Sequence, residues 1–207
     1  MSSKNLLVDY IPFEVSREQI NESISNNDGR LVVKGVLQRA ESKNQNGRVY
    51  PKDTLVREAK KYAKIQVKER RALGELDHPD SSVVNLNNVS HNILEMHWKG
   101  DDLVGTVEVL STPSGNILKE LFKNDIKLGI SSRGLGSIEQ IKEADDVVDK
   151  VKDDFELIAF DFVSNPSTHG AFMSPSSMTE GVHREDNHQP NEKDSKIEKI
   201  INDILRG

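Results

Sequence analysis

Beyond about Phe172 the sequence stops supplying what a folded core needs. Ser, Pro, Glu, His and Asn dominate through Lys193, a composition that buries too little apolar surface to offset the entropy of ordering the chain. Residues 174–194 therefore read as a flexible linker, and the core must come from the residues before them. The length of 207 residues suits one ordinary domain plus a tail. With 35% apolar, 30% charged and only 5% aromatic residues, that core is small and its surround well solvated. After the linker, Ile197, Ile200, Ile201, Ile204 and Leu205 recur at helical spacing. Residues 195–207 are thus expected to carry a short amphipathic helix, which is marginal alone and wants a partner.

Composition also narrows the function. The net charge of −6 comes without any cluster of Lys and Arg interleaved with aromatics, which argues against specific nucleic-acid binding as the main task. The absence of cysteine removes disulfides, thiolate metal sites and cysteine nucleophiles together and suits a cytosolic setting. No apolar run approaches the about 20 residues of a bilayer span, and the N-terminus lacks a signal-peptide core. A soluble protein without a membrane partner is expected.

Before the linker the chain alternates strand and helix patterns. Residues 1–29 read as a peripheral N-terminal arm, and residues 30–173 as the folded domain. Arg30 to Leu37 is β-rich and leads to turn chemistry at Asn44-Gln45-Asn46-Gly47. Pro51 opens an amphipathic pattern carrying Leu55, Ala59, Tyr62, Ala63 and Ile65, so a helix is expected over 52–68. Val89 to Trp98 and Leu103 to Leu110 read as two strands joined by Lys99-Gly100-Asp101-Asp102; Leu103, Gly105, Val107 and Val109 share one face of the second. Pro113 to Lys123 has a short helical stripe, Lys127 to Ile138 begins a further strand, Asp145 to Asp154 is mostly charged, and Phe155 to Val163 is a strand ending before Asn165-Pro166.

Three segments could carry chemistry. Gly129-Ile130-Ser131-Ser132-Arg133-Gly134-Leu135-Gly136 places two hydroxyls beside an arginine among glycines, which would admit a substrate backbone closely or simply bend a strand. It is no nucleophile elbow, since arginine stands where Gly-x-Ser-x-Gly needs glycine. A serine needs a base. Of six histidines, His169, His183 and His188 fall in loop or tail, His97 beside Trp98 suits a packed or edge role, and His91 has equal claim to be a solvated one. His78 sits between Asp77 and Pro79 in Gly74-Glu75-Leu76-Asp77-His78-Pro79, either a base or a turn histidine among charges. A third member would be a fixed carboxylate. Asp161 is the only charge in Leu157-Ile158-Ala159-Phe160-Asp161-Phe162-Val163, where burial is costly unless it is paired; Glu75, Asp77 and Asp80 are rivals by proximity. A metal hydrolase built on His78, Asp80 and His91 lacks helical His spacing and a closed ligand set.

In that order, the Gly-Glu-Leu-Asp-His-Pro block, Met96-His97-Trp98-Lys99-Gly100, the Ser-Ser-Arg-Gly-Leu-Gly block and Asp161 ahead of Pro166-Ser167 resemble the prohead core protein proteases of large contractile-tailed phages, over about residues 32–175. The resemblance implies an α+β fold, a compact and mostly antiparallel β-barrel flanked by helices and distantly similar to herpesvirus assemblin. It implies a serine endopeptidase with Ser131 as nucleophile, His78 as general base and Asp161 as third member by its matching strand. It puts the oxyanion site at Arg133 and Gly134, and it calls for no cofactor and no metal. The implied partners are scaffold or core proteins and the major capsid protein, cut after glutamate inside the assembling prohead in the host cytoplasm; a homo-oligomer is compatible with this. Met178-Thr179-Glu180-Gly181 loosely fits such a cleavage motif, so autocleavage between Glu180 and Gly181 would release the terminal helix. The competing expectation is a noncatalytic capsid-assembly or scaffolding β-barrel module, since fold alone does not dictate activity.

Overall fold

A computed structural model of the chain describes residues 4–11, 17–143, 146–164 and 173–175, together with residues 202, 203 and 205. The β-rich run after Arg30 forms β2 (Leu31–Arg39), and the hairpin expected around Gly100 forms β5 (Val89–Lys99) and β6 (Asp102–Val109). Gly100 takes φ +59°, the left-handed conformation that glycine adopts without penalty. These strands, with β4 (Leu73–Glu75) and β11 (Met173–Pro175), make a five-stranded antiparallel sheet in the order β11-β2-β6-β5-β4. Val33, Ile93, Leu103 and Val107 bury completely or nearly so on its core side, as the alternation along β6 requires.

A second sheet, β1-β7-β10, is made of β1 (Asn5–Ile11), the Gly-rich serine strand β7 (Gly129–Gly136) and β10 (Glu156–Val163), with β7 in the centre and both neighbours antiparallel to it. A small third sheet holds β3 (Arg48–Val49), β9 (Asp146–Val151) and β8 (Ile138–Glu143). The two larger sheets meet at one isolated parallel bridge, Leu76 to Phe162, just past the end of β4. A closed barrel is therefore not what the described strands form. Eight of them line up across that bridge, but β1 and β11 end the array as edges without pairing to each other. The architecture is mixed α+β with mostly antiparallel sheets, and the seam between sheets is where the loop after β4 comes against β7 and β10.

Helices cover the sheets. α2 (Lys52–Tyr62) follows Pro51 and continues into one π-helical turn, Ala63–Val67, so the expected helix is present with its last turn widened. Its Leu55, Ala59 and Tyr62 enter the core, where the Tyr62 ring meets Phe160 edge to face with centroids 5.8 Å apart. α3 (Pro113–Lys123) is capped by the Thr112 hydroxyl, which accepts the Gly115 amide at 3.0 Å, and buries Leu118 and Phe122.

Three segments differ from their sequence expectation. The N-terminal residues do not stand apart as an arm: β1 pairs with β7 from Ile130 to Gly136, Leu7 is core, and α1 (Arg17–Asn26) buries Ile20. The charged stretch after Asp145 is strand β9, because Val148 and Val151 turn inward while Lys150 stays toward water. Of the terminal segment, Asn202 meets β5 from the side that lacks a neighbouring strand. Its Oδ1 accepts the Trp98 amide at 2.8 Å, its Nδ2 donates to the Trp98 carbonyl at 3.3 Å, and Leu205 packs on the core. The side-chain amide thus satisfies a strand edge that would otherwise stand open. The first two residues of the expected 174–194 linker, Ser174 and Pro175, are instead paired with β2 in strand β11; residues 176–194 lie outside the described residues.

Candidate active site

Strand alternation sorts the two serines. Ser131 and Arg133 share one face of β7, and Ser132 and Gly134 the other. Ser132 is buried against β2, where its Oγ accepts the Gln38 side-chain amide at 2.7 Å. Gly134 lacks a side chain for a packing reason, since a Cβ there would sit 2.4 Å from the Phe155 ring and 2.6 Å from the Glu156 carbonyl. Close approach of β10, rather than open room for a ligand, accounts for that glycine.

Ser131 lies directly opposite Asp161 in the ladder between β7 and β10, and paired residues in an antiparallel ladder put their side chains on the same face. The Asp161 side chain is fully buried. Its Oδ2 accepts His78 Nδ1 at 3.0 Å and Arg133 Nε at 2.8 Å, while its Oδ1 accepts the Glu75 amide at 3.0 Å and Arg133 Nη2 at 3.2 Å. Burial works to raise this carboxyl. The His78 bond, the Arg133 charge and the Glu75 amide outweigh it and hold Asp161 below the ordinary carboxylate value. Because an ionised carboxylate can only accept, the shared proton sits on Nδ1, which leaves Nε2 as the only ring nitrogen of His78 able to accept a proton. Nε2 is shielded from water and has no hydrogen-bond partner.

The loop that carries His78 is fixed at several points. Asp77 donates its amide to the Phe162 carbonyl at 2.7 Å and takes φ +70°, with its side chain accepting the His78 amide at 2.9 Å. Arg133 Nη1 donates to the Ser81 carbonyl at 2.6 Å, and Glu75 Oε1 accepts both Arg133 Nη2 and the Asn85 amide at 3.0 Å. The guanidinium is therefore fully buried and bonded at all three nitrogens. Its charge serves the two carboxylates here, and removing one member of such a buried pair typically costs about 3–5 kcal/mol.

Ser131 and His78 share the site but are not hydrogen-bonded to each other. The Ser131 hydroxyl donates instead to the Asp9 carbonyl of β1 in a short bond. The Asp9 carboxylate is also buried and gathers Arg48 Nη1 at 2.9 Å, Asn46 Nδ2 at 2.8 Å and the Tyr50 hydroxyl. Residue patterns mark Glu75 only as a rival carboxylate and do not single out Asp9 at all. Asp9 nevertheless carries the same mark as Asp161, a lone charge in an apolar run, Leu6-Leu7-Val8-Asp9-Tyr10-Ile11.

The other histidines divide. His91 is buried on β5 with both ring nitrogens bonded, Nε2 donating to the Phe160 carbonyl at 2.9 Å and Nδ1 accepting from Ser90 at 2.8 Å. It fills the space above Gly74, where a Cβ would come within 2.3 Å of it. His97 is half-buried farther along β5. His169, His183, His188 and the Glu180-Gly181 bond lie outside the described residues.

A buried aspartate bonded to an imidazole whose far nitrogen faces no partner, on a strand paired to a serine strand, is an arrangement compatible with hydrolases that activate a hydroxyl. The chain is a member of the prohead core protein serine protease family, whose match spans residues 8–183. The prohead core protein protease of Enterobacteria phage T4 is 35% identical to it over 153 residues, 72% of this chain and 71% of that protein. The solved structure of the bacteriophage T4 capsid assembly protease shares its fold with a TM-score of 0.66 at 29% identity, over 78% of this chain and 99% of that one. The chain is accordingly a protease of the capsid-maturation class. No helix among the described residues is long and apolar enough to cross a membrane.

Proposed function

We propose that the protein is a serine endopeptidase that cuts scaffold or core proteins and the major capsid protein after glutamate inside the assembling prohead. The observation that carries this is the 3.0 Å bond from His78 Nδ1 to the buried Asp161, opposite Ser131 in the ladder, with Nε2 left unpartnered. In the reaction the Ser131 hydroxyl turns from the Asp9 carbonyl to His78 Nε2. As Oγ bonds the scissile carbonyl carbon, its proton passes to Nε2 and the carbonyl pair moves onto oxygen. His78 then gives the proton to the departing amine, and water repeats the sequence on the acyl-enzyme. The family resemblance puts the oxyanion site at Arg133 and Gly134, where preorganised donors are commonly worth about 3 kcal/mol. Both residues pair with β1 and β10 in the ladder, so on this proposal a main-chain amide there must leave its strand partner to serve. Asp161 keeps the imidazole in the tautomer that can accept. Kinship extends, on this proposal, to herpesvirus assemblin, and cleavage between Glu180 and Gly181 releases the terminal segment.

The test is cleavage of a scaffold fragment containing Leu-x-Glu by wild type, Ser131→Ala, Ser132→Ala and His78→Ala. Wild type and Ser132→Ala are expected to cut after glutamate and the other two to be inert. Activity in Ser131→Ala with loss in Ser132→Ala would move the nucleophile. Intact mass of the active enzyme checks the Glu180 cut, which is absent if the full-length mass persists.

A further inference from the structure

We propose that Glu75 sets the charge balance of the site, acting on His78 through Arg133 and Asp161 as a positioning residue. The inference rests on the proposed relay for its catalytic meaning, though its electrostatic content does not.

Glu75 ends β4 with its side chain fully buried. Its main-chain amide holds Asp161 Oδ1, and its Oε1 holds Arg133 Nη2 and the Asn85 amide, each at 3.0 Å. Its Oε2 is buried without a partner. Two carboxylates thus face one guanidinium, with all three side chains removed from water, so that on this proposal, with both carboxylates ionised, the cluster carries one uncompensated negative charge. Such a charge is costly in a buried setting unless something meets it.

The groups that face the cluster from other elements do not supply the missing charge. Tyr62, from α2, keeps its phenolic proton because burial pushes it far up. His91, from β5, is neutral because burial pushes it down to about 4. Asp77 and Asp80 add only negative charge, from exposed positions where water and salt screen them. The remaining candidate is His78 itself. When Nε2 takes the serine proton, the imidazolium balances the cluster, so the buried charge pattern favours the state formed as Ser131 attacks. With Glu75 neutral, Arg133 and Asp161 would already cancel and the imidazolium would stand alone. Glu75 also anchors Asn85, while Arg133 anchors Ser81, so the same pair holds the His78 loop at two points that follow the imidazole.

Glu75→Gln keeps the size and the acceptor oxygen for Arg133 and Asn85 but removes the charge, whereas Glu75→Asp keeps the charge and shortens the reach. In a Ser131→Ala background, where no turnover occurs, the ring signals of His78 are followed by NMR across pH. The expected result is that His78 gives up its proton about one pH unit lower in Glu75→Gln than in its parent, with Glu75→Asp close to the parent. With the serine restored, the acid limb of kcat/KM moves the same way and the plateau falls about tenfold. Equal midpoints in parent and Glu75→Gln, or equal shifts in Glu75→Gln and Glu75→Asp, would reduce Glu75 to a strut and overturn the proposal. So would a carbonyl carbon shift showing Glu75 protonated at pH 7 in the unsubstituted chain, a measurement that stands if Glu75→Gln does not fold. Because the titration needs no turnover, a chain that cuts no peptide removes the relay while leaving the coupling between Glu75 and His78 measured.

Discussion

Asp9 and Asp161 lie on the two strands that flank the serine strand, and their surroundings treat them in opposite ways. Both carboxylates are fully removed from water. Asp161 stands opposite Ser131, Asp9 opposite Ser132, so the two side chains emerge on opposite faces of the same sheet. Asp161 faces a buried guanidinium, an imidazole and an amide, which together overcome burial and hold it below its ordinary value. For Asp9, burial prevails over Arg48 and the hydroxyl and amide donors around it, and its carboxyl is raised. Equal burial therefore does not decide the charge of a carboxylate. The number and charge of the donors that reach it do, and here they make one aspartate a fixed anion beside an imidazole and the other an anchor for β1.

The largest expected effect separates the two by activity. Asp161→Asn keeps the shape but can present its NH₂ to His78, which reverses the tautomer and takes the lone pair away from Nε2. A loss of about 10⁴-fold in kcat is expected, as for the corresponding change in a serine-histidine-aspartate relay. Asp9→Asn, one strand away and equally buried, should keep activity within about tenfold because it touches neither nitrogen of His78. Comparable losses from the two substitutions in the scaffold-fragment assay would end the distinction between relay and anchor.

His91 shows a third way to bury a titratable group, which is to keep it neutral. Burial pushes it down to about 4 from about 6.5, so the unfolded chain accepts a proton that the folded chain refuses. Its contribution to stability is complete above about pH 6.5 and is lost as pH falls toward 4, by about 3 kcal/mol. Urea unfolding of wild type and His91→Gln between pH 7 and pH 4 checks this: the wild-type midpoint should drop more steeply. Parallel curves would mean that His91 charges in the folded state despite its bonds to Phe160 and Ser90.

Features that rest on neighbouring residues, or on one residue unlike those around it, are legible in the amino-acid sequence. The hairpin at Gly100, the helix after Pro51, the Gly-rich serine strand and Asp161 alone in an apolar strand are all of this local kind. What escapes such a reading depends on pairing between distant segments. Asp9 carries the same lone-charge mark, but its partner strand lies more than a hundred residues on, so β1 reads as an arm. The part played by Glu75 needs the seam where Leu76 meets Phe162 and the bulge at Leu157/Ala159 that shifts the register of β10 on β7. Barrel closure fails as an expectation for the same reason: strand patterns show that strands exist, while closure depends on which edges find each other. The charged composition of β9 hides a strand whose inward positions are only two valines.

The smallest effect is also the sharpest discriminator between the two aspartates, because the signs are opposite. A carboxyl lowered in the folded state stabilises above its unfolded value near pH 4, and that stabilisation is lost as pH falls through the folded value. The advantage of wild type over Asp161→Asn should therefore widen as pH rises across the acid range. A carboxyl raised in the folded state does the reverse: its favourable contribution is complete below about pH 4 and is lost as pH rises through the folded value. Asp9→Asn keeps an acceptor for Arg48, and the Tyr50 hydroxyl can turn to accept from the new amide, so its cost is only about 1–2 kcal/mol. That cost should be largest in acid and shrink toward neutral pH. Denaturant midpoints for the two variants at pH 3, 5 and 7 give two difference curves of opposite slope. Curves of the same slope would show that Arg48 holds Asp9 ionised as firmly as Arg133 holds Asp161, and that the two sides of the serine strand are electrostatically alike.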